Sequence, residues 1–489
     1  MYLSVLTVFF TLYSAASGQR DFPPGFKFGA ATAAYQIEGG WDTDGKAPNI
    51  WDDFTHKNPH VIHNRSNGDI ACDSYNLWRQ DVQIATDLGL HFYRISIAWS
   101  RLLPNSFSNQ INEAAVKYYN NVIDGLLEKG VEPFITLYHW DLPQKLQDLG
   151  GWTNPLVADW FADYARVAFA LFGDRVKTWI TINEPLIMCE ATYSMGLHAP
   201  GVSSPGFGDY LCSKNVIMAH AKAWRIYDEE FRSKYNGRVS LTNHIIWVEA
   251  QTKETEELAE ISRQFIIGMF AHPIFTAAGG WPSAVERIVA DNSKNEGYTR
   301  TRLPPFTEEE KELVRGTYDF FGLNFYTSRI VRTANDGEKI GSFPLSGCPE
   351  IGVVYEPLES WPKAVVDWFY IYPEGMRKVL GWLKENYGDL EYVMLENGFT
   401  NARSGVEDPD RIQYYEDHLE QVLLAIKDGV NVTHFTAWTL IDNFEWSDGY
   451  RPKFGLVEVD FNDPHRKRTP RASARYYANV IQKHSLDLH

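Results

Sequence analysis

The chain has 489 residues, of which 44% are hydrophobic and 14% aromatic, and its formal net charge is −17 with a pI near 5.3. This composition supports a large hydrophobic core, and the acidic balance excludes the electrostatic footprint of a nucleic-acid-binding protein. The one basic cluster, residues 465–471, is interpreted as a solvated surface loop. No linker or low-complexity run divides the chain, so we predict one domain over residues 19–489.

The first 18 residues have the pattern of a secretory signal peptide. Leu3 to Ala16 are apolar and small, Ala16 and Gly18 form an A-x-A-like cleavage pattern, and no acidic residue precedes Asp21. We predict that residues 1–18 are removed and that the protein is secreted, for example into a gut lumen or from a gland. A membrane anchor is the alternative, but the apolar run is shorter than the roughly 20 residues that span a bilayer. No membrane partner is therefore expected.

Secretion bears on the cysteines and on the Asn-X-Ser/Thr sequons. Four cysteines without C-x-x-C spacing argue against a metal or redox site. Cys189 and Cys212 are the candidate disulfide pair, and free buried thiols are the alternative, because a domain of this size does not need covalent staples. Asn64 and Asn431 begin sequons and are the candidate glycosylation sites.

From residue 26 onward, apolar strands alternate with amphipathic helices. Strands are predicted at residues 26–28, 92–97, 131–138, 176–182, 238–243, 319–325, 391–395 and 433–440. Helical regions are predicted at residues 73–88, 114–129, 154–172, 213–235, 255–290, 373–386, 409–428 and 469–484. Eight such units predict an α/β fold, a parallel sheet closed as a (β/α)8 TIM barrel. An open doubly wound sheet is the alternative, but no G-x-G-x-x-G turn follows a strand.

In a TIM barrel, the active site lies at the C-terminal ends of the strands. Polar residues collect at those positions: Gln36, Arg94, His139, Asn183, Glu184, Asn243, Asn324, Tyr326, Glu396, Trp438 and Glu445. Two segments, ITINEP at residues 180–185 and VMLENG at residues 393–398, run from an apolar strand into a carboxylate. A carboxylate in such a place is costly unless it is used or paired. These two segments therefore supply the strongest catalytic candidates.

Glu184 and Glu396 end the fourth and seventh predicted strands, on opposite sides of the barrel mouth. A retaining glycosidase needs an acid and a carboxylate nucleophile about 5–5.5 Å apart. We expect burial to raise the pKa of Glu184, and Arg94 and Tyr326 to keep Glu396 ionised. For either glutamate taken alone, a structural ion pair is the alternative.

Aromatic and amide side chains near the strand ends suit sugar binding. Trp140, Trp438 and Trp446 are candidates for stacking on a pyranose ring, although core packing is the alternative for any single tryptophan. Gln36, His139, Asn183 and Glu445 are candidates for hydrogen bonds to sugar hydroxyls.

Seven segments from residue 22 to the end resemble glycoside hydrolase family 1: FGAATAAYQIEGG, YRISIAWSR, LYHWDLP, TINEP, DFFGLNFYT, LENG and TAWTLIDNFEWSDGYRPKFGLVEVDF. The resemblance implies a (β/α)8 retaining β-glycosidase with no cofactor and no metal. It implies that Glu184 is the acid/base and Glu396 the nucleophile. The sugar-binding positions it matches are Gln36, His139, Trp140, Asn183, Glu445 and Trp446, with Trp438 as the platform. Arg94, Asn324 and Tyr326 match residues around the nucleophile, and Trp361 falls on the aglycone side.

One position departs from the family pattern. Leu395, before the predicted nucleophile, stands where the family usually has threonine or another small residue. Its bulk must be taken up by the core, or it shifts the strand that carries Glu396.

The secreted form and the segments HAKAW and AHPIF resemble animal β-glucosidases, particularly insect ones. The predicted activity is hydrolysis of terminal β-D-glucosyl residues of small-molecule β-glycosides, with galactosyl and fucosyl residues left open, by a monomer or homodimer. A β-thioglucosidase (myrosinase) acting on glucosinolates is the first alternative. A plant-type thioglucosidase would have glutamine in place of Glu184, whereas an animal-type one could keep the glutamate. A non-catalytic sugar-binding protein is the second alternative, which the presence of both glutamates disfavours.

Overall fold

A computed structural model describes residues 20–338, 340, 347–402 and 405–488. The predicted signal peptide, residues 1–18, lies outside the described residues. Within them, no helix combines the length and the hydrophobicity that crossing a bilayer requires.

Eight parallel strands close into a barrel, which confirms the predicted TIM-barrel fold. The strands are β1 Lys27–Ala31, β2 Phe92–Ser96, β3 Glu132–Tyr138, β4 Thr178–Asn183, β5 Arg238–Ala250, β6 Phe321–Thr333, β7 Val353–Glu356, β8 Tyr392–Glu396, β9 Val432–Trp438, β10 Val457–Val459 and β11 Arg468–Pro470. The ring runs β1-β2-β3-β4-β5-β6-β8-β9, and β9 pairs in parallel with β1, with Gly29 opposite Thr436. The barrel strands are almost wholly buried, because helices cover the outside and side chains fill the inside.

The helices form the outer layer and the loops around the barrel mouth. They are α1 Ala34–Ile37, α2 Ile50–Lys57, α3 Ser74–Asp87, α4 Trp99–Leu102, α5 Glu113–Glu128, α6 Gln144–Gln147, α7 Val157–Phe172, α8 Pro185–Cys189, α9 Gly208–Ile226, α10 Arg232–Tyr235, α11 Glu256–Arg263, α12 Met269–Phe275, α13 Ser283–Asn295, α14 Glu308–Val314, α15 Gly347–Ile351, α16 Glu374–Tyr387, α17 Pro409–Lys427 and α18 Ala472–Lys483. Single π-helical turns lie at Glu190–Ser194, Tyr227–Phe231 and Gln264–Gly268.

Two regions differ from the sequence prediction. The predicted helical region 255–290 is divided into α11, a π turn, α12 and α13, because Gly279 and Gly280 take positive φ angles and Pro282 precedes α13. Strands β5 and β6 are 13 residues long, well beyond the predicted 238–243 and 319–325. Their second halves continue past the barrel, where β6 pairs antiparallel with β7. This extension forms one wall above the barrel mouth.

The barrel interior explains how the chain accommodates Leu395. A separate buried cluster fills the barrel, formed by Phe92, Phe134, Ile180, Phe320, Val393 and Leu395. Space for Leu395 comes from Gly322 on the neighbouring strand, where a Cβ atom would lie 2.9 Å from Leu395 Cδ1. The leucine therefore packs below the strand end that carries Glu396, and the glycine compensates for its bulk.

The disulfide between Cys189 and Cys212 is present, which confirms the candidate pair. It joins the end of α8 to α9, with the two Cα atoms 5.6 Å apart. Because α8 follows Glu184 directly, the disulfide anchors the segment that leaves the predicted catalytic strand. Cys72 and Cys348 are buried thiols, and burial raises the pKa of Cys72.

Candidate active site

A cavity of about 560 Å³ opens at the C-terminal ends of the barrel strands. Of the residues that the sequence predicted for the site, nine line it: His139, Trp140, Asn183, Glu184, Tyr326, Glu396, Trp438, Glu445 and Trp446. Gln36, Arg94 and Asn324 contact lining residues or their immediate neighbours from behind. Trp361 lies apart from the cavity lining and stacks on Tyr372 with ring centroids 4.5 Å apart. Trp368, seven residues later in the chain, does line the cavity.

Glu184 occupies the junction between β4 and α8. Its φ angle is +50°, in the left-handed region, and Pro185 begins α8 at a position where no backbone N–H is needed. The backbone N–H of Glu184 still donates to Thr242 O at 2.9 Å, so the junction stays attached to β5. A costly backbone conformation held in this way is a recurrent feature of functional sites.

Glu184 makes two hydrogen bonds with described side chains, and both involve the same carboxyl oxygen. Oε1 accepts from Asn324 Nδ2 at 2.7 Å and is within hydrogen-bonding distance of His244 Nδ1, at 2.9 Å. Burial raises the pKa of Glu184, but His244, Asn324 and Arg94 together outweigh burial and hold the pKa below its usual value. The site therefore favours the carboxylate form of Glu184.

Glu396, the last residue of β8, is held through both oxygens. Oε1 accepts from Arg94 Nη1 at 2.7 Å, and Oε2 accepts from the Tyr326 hydroxyl at 2.8 Å. Burial raises the pKa of Glu396 to about 7; Arg94 and Tyr326 oppose this rise, and the charge of Glu184 adds to it. Glu396 therefore titrates near neutrality even though a cation contacts it.

A short chain of hydrogen bonds connects the two glutamates. Arg94 Nη2 donates to Asn183 Oδ1 at 2.7 Å, and Asn324 Nδ2, which binds Glu184, lies 3.2 Å from the same oxygen. The two carboxyl groups thus share one buried network and titrate as a pair.

From the sequence, we expected Glu184 to carry the proton and Glu396 to be ionised. With protein groups alone, the order is reversed, because His244 stabilises the Glu184 carboxylate.

Arg94 is the buried cation of this network, and replacing it should move the pH dependence of the reaction. In Arg94→Met, burial and the charge of Glu184 would raise the pKa of Glu396 above its value of about 7, since the main opposing charge is gone. The sequence predicts that Glu396 is the nucleophile, which must be ionised, so activity should fall at low pH first and the acidic limb of kcat/KM should move to higher pH. A pH-rate profile checks this. Arg94→Lys, which keeps the charge, should shift less, and an acidic limb that stays in place would contradict the assignment.

Aromatic rings form one wall of the cavity. Trp140 and Trp446 have ring centroids 4.8 Å apart, and His139 stacks on Trp438 at 5.7 Å. Trp140 and Trp446 also have positive φ angles, 75° and 54°, and Trp140 Nε1 donates to Asn183 O at 2.9 Å. Positive φ angles at tryptophan cost conformational free energy. Core packing alone does not require such angles, so they indicate that the positions of these rings matter for function.

Three buried polar atoms near this wall have no hydrogen-bond partner among the described residues: Gln36 Oε1, His139 Nδ1 and Glu445 Oε1. The amide nitrogen of Gln36 donates to Asn443 Oδ1 and Phe444 O, which fixes its orientation. Burial lowers the pKa of His139 well below its usual value and raises that of Glu445 well above it. Buried amide, imidazole and carboxyl groups with unpartnered atoms of this kind complement the hydroxyl groups of a ligand.

His244 is the site residue that sequence reasoning missed. The prediction named its neighbour Asn243, but Thr242 and His244 are the side chains of β5 that contact Asn324 and Glu184. Asn243 is buried without lining the cavity. Side chains alternate between the two faces of a strand, so only one of the neighbours Asn243 and His244 was expected to face the cavity. Which of them does so became clear only from the contacts.

Two further predictions concern sites outside the cavity. Asn64 and Asn431 are both exposed, and their glycosylation stays a prediction. In the described part of the chain, no group of three or more His, Cys, Asp or Glu side chains is arranged to hold a metal ion.

Known proteins share this architecture over the whole described chain. The profile of Glycosyl hydrolase family 1 matches residues 18–486. Human cytosolic beta-glucosidase is 42% identical over 473 residues, covering 96% of this chain and 99% of the human protein. Myrosinase 1 of Brevicoryne brassicae is 43% identical over 465 residues, covering 94% and 98% of the two chains. The solved structure of aphid myrosinase superposes with a TM-score of 0.90 at 43% identity, covering 94% of this chain and 99% of that one. The chain therefore belongs to glycosyl hydrolase family 1 and is a glycoside hydrolase.

Proposed function

We propose that the protein is a retaining β-glucosidase in which Glu396 is the nucleophile and Glu184 the acid/base. The observation that carries the assignment is the asymmetric support of the two carboxyls. Glu396 contacts a cation and a phenol, which favour the ionised form that a nucleophile needs. Glu184 contacts an imidazole and an amide through Oε1 alone, which leaves Oε2 to carry the proton that an acid needs.

The reaction uses the single proton that the carboxyl pair holds near neutral pH. The reactive form has this proton on Glu184 and the negative charge on Glu396. Glu396 attacks the anomeric carbon while Glu184 protonates the leaving oxygen, which gives a glycosyl-enzyme ester. Glu184 then takes a proton from water, and the water displaces Glu396, so the β configuration is retained.

The part of the cavity lining outside the predicted sugar-binding residues supports a neutral aglycone. Apolar and aromatic side chains line it: Ile187, Met195, Leu197, Tyr355, Val366, Trp368, Tyr370 and Phe454. Carboxyl side chains outnumber cations in the whole lining; the acids are Glu184, Glu190, Asp367, Glu396, Glu445 and Asp448, and the cations are Arg329 and Lys363. An anionic aglycone would meet more carboxyl groups than cations there. O-linked aryl and alkyl glucosides therefore fit better than glucosinolates, thioglucosides whose aglycone carries a sulfate.

A hydrolysis panel tests this function. It contains a neutral aryl β-glucoside, cellobiose, an aryl β-galactoside and a glucosinolate, because relatives bear both β-glucosidase and myrosinase names. The neutral aryl glucoside should give the highest kcat/KM, and proton NMR should show β-glucose as the first product. An α product, or turnover of the glucosinolate alone, would overturn the proposal. The absence of turnover on every β-glycoside would favour the non-catalytic sugar-binding alternative.

We also propose that the protein is secreted. The Cys189–Cys212 disulfide is typical of an oxidising compartment, and the exposed Asn64 and Asn431 sequons fit passage through the secretory pathway. The relative named cytosolic beta-glucosidase shows that the family also has members in a reducing compartment. Expression in insect cells distinguishes secretion from retention in the cytosol. Protein in the medium is expected, and protein confined to the cell lysate would contradict secretion.

A further inference from the structure

We propose that His244 is a positioning residue for the acid/base: its Nδ1–H holds one oxygen of Glu184 against β5 and β6 and leaves the other for the scissile bond. The inference rests on the function proposed above and deepens it. It concerns a residue that has no counterpart among the catalytic motifs of the sequence.

The strand places His244 rigidly. It lies on β5, two residues after Thr242, whose hydroxyl donates to Asn324 Oδ1 at 2.9 Å. The imidazole is nearly parallel to the Tyr326 ring, with an interplanar angle of 17° and centroids 6.1 Å apart. Tyr326 is itself fixed by Glu396. His244 is buried and lines the cavity, so it connects the supports of the two glutamates.

In this proposal, Nδ1–H of His244 is the donor to Glu184. Thr242 donates to the oxygen of the Asn324 amide, so the other amide atom is the nitrogen that donates to Glu184 Oε1. With Nδ1–H of His244 as the second donor, Oε1 accepts from two N–H groups, and the mobile proton of Glu184 belongs on Oε2.

The charged surroundings determine the sign of the effect. Arg94 lies behind Glu396, and the ionisable side chains that line the cavity with His244 are His139, Glu184, Glu190, His198, Tyr326, Arg329, Tyr355, Lys363, Asp367, Tyr370, Glu396, Glu445 and Asp448. Of these, Glu184 is in direct contact, at 2.9 Å. A donor to Glu184 stabilises its carboxylate, so loss of the donor lets Glu184 hold its proton to higher pH. Less charge on Glu184 also lets Glu396 ionise at lower pH.

Two amide variants separate the two ring nitrogens. His244→Asn places an amide near the Nδ1 position and can still donate to Oε1. His244→Gln places its amide near the Nε2 position, beyond this contact. In His244→Gln, the basic limb of kcat/KM for a neutral aryl β-glucoside should move up by about one pH unit and the acidic limb should move down. In His244→Asn, both limbs should stay near their original positions.

A second readout tests positioning rather than proton affinity. With Oε1 unanchored, Glu184 should protonate poor leaving groups less efficiently, so kcat for alkyl glucosides should fall in His244→Gln more than kcat for activated aryl glucosides. His220→Asn is the matched control, since His220 is a buried histidine that contacts Thr181 on β4 from outside the barrel. Its variant should lower thermal stability and leave both pH limbs in place.

The possible results distinguish a failure of this inference from a failure of the proposed function. If the unaltered protein hydrolyses no β-glycoside, the proposed function fails. If it is active and the pH profiles of both amide variants match the original, His244 does not position Glu184. Equal shifts in His244→Asn and His244→Gln would also overturn the inference, because only one of them retains the donor.

Discussion

Glu396→Gln is expected to lower kcat for aryl β-glucosides by roughly four orders of magnitude or more, because an amide of nearly the same shape cannot attack the anomeric carbon. The variant should still fold. Arg94 can donate to the amide oxygen, and the buried negative charge that burial disfavours is gone. Steady-state kinetics and thermal unfolding, measured side by side, check both halves of the prediction.

The identity of the nucleophile can also be read directly from the unaltered enzyme. A 2-deoxy-2-fluoro-β-glucoside with a good leaving group should form a stable ester on Glu396, visible as a mass increase of the peptide that carries it. Glu391→Gln is the matched control, since Glu391 precedes the same strand at the opposite end of the barrel and pairs with Arg238 at 2.8 Å. That variant should be labelled and active. A label on another residue would refute the assignment.

The barrel was predictable because its strands are apolar runs that end at polar residues. Runs such as ITI and VML are buried on both faces, which is typical of parallel strands covered by helices. The divided region around Gly279 and Gly280 was harder, because apolar residues at helical spacing continue across the break. The extension of β6 past the barrel pairs with β7, about twenty residues away along the chain, and the extension of β5 pairs with that of β6, about eighty residues away.

The candidate site was predictable where chemistry and position coincide. Glu184 and Glu396 stand out because a carboxylate at the end of a buried strand is expensive. His244 lies inside an apolar stretch, LTNHIIWV, and nothing in that stretch distinguishes it from a packed core histidine. Its importance comes from a contact with Glu184, 60 residues earlier in the chain. Trp361 shows the opposite case, because its position in the sequence suggested the cavity while its side chain packs on Tyr372.

The protonation order was the hardest property to anticipate. The sequence supplies the groups that shift the two pKa values, but a shift depends on which atoms are within hydrogen-bonding distance. Arg94 was expected to act on Glu396, and it does, at 2.7 Å, yet it also lowers the pKa of Glu184. Burial raises the pKa of Glu396 despite its cation. Balances of this kind follow from the packed geometry.

Glu184→Ala is expected to separate the two steps of the reaction. Aryl glucosides with good leaving groups do not need protonation, so the glycosyl-enzyme should still form on Glu396. Its hydrolysis should slow by about 10²–10⁴-fold, because no base activates water. Alkyl glucosides should lose activity in the first step as well, so the loss should grow with the pKa of the leaving alcohol.

Azide supplies the decisive measurement, since it is a nucleophile that needs no base. Added azide should restore turnover of the aryl glucoside in Glu184→Ala and give β-glucosyl azide, whereas it should leave the unaltered enzyme unchanged. The β configuration of that product requires attack on an intermediate already attached to the opposite face, so it links the role of Glu184 to the covalent role of Glu396. Equal losses on all substrates with no rescue by azide would mean that Glu184 supports the structure of the site and transfers no proton.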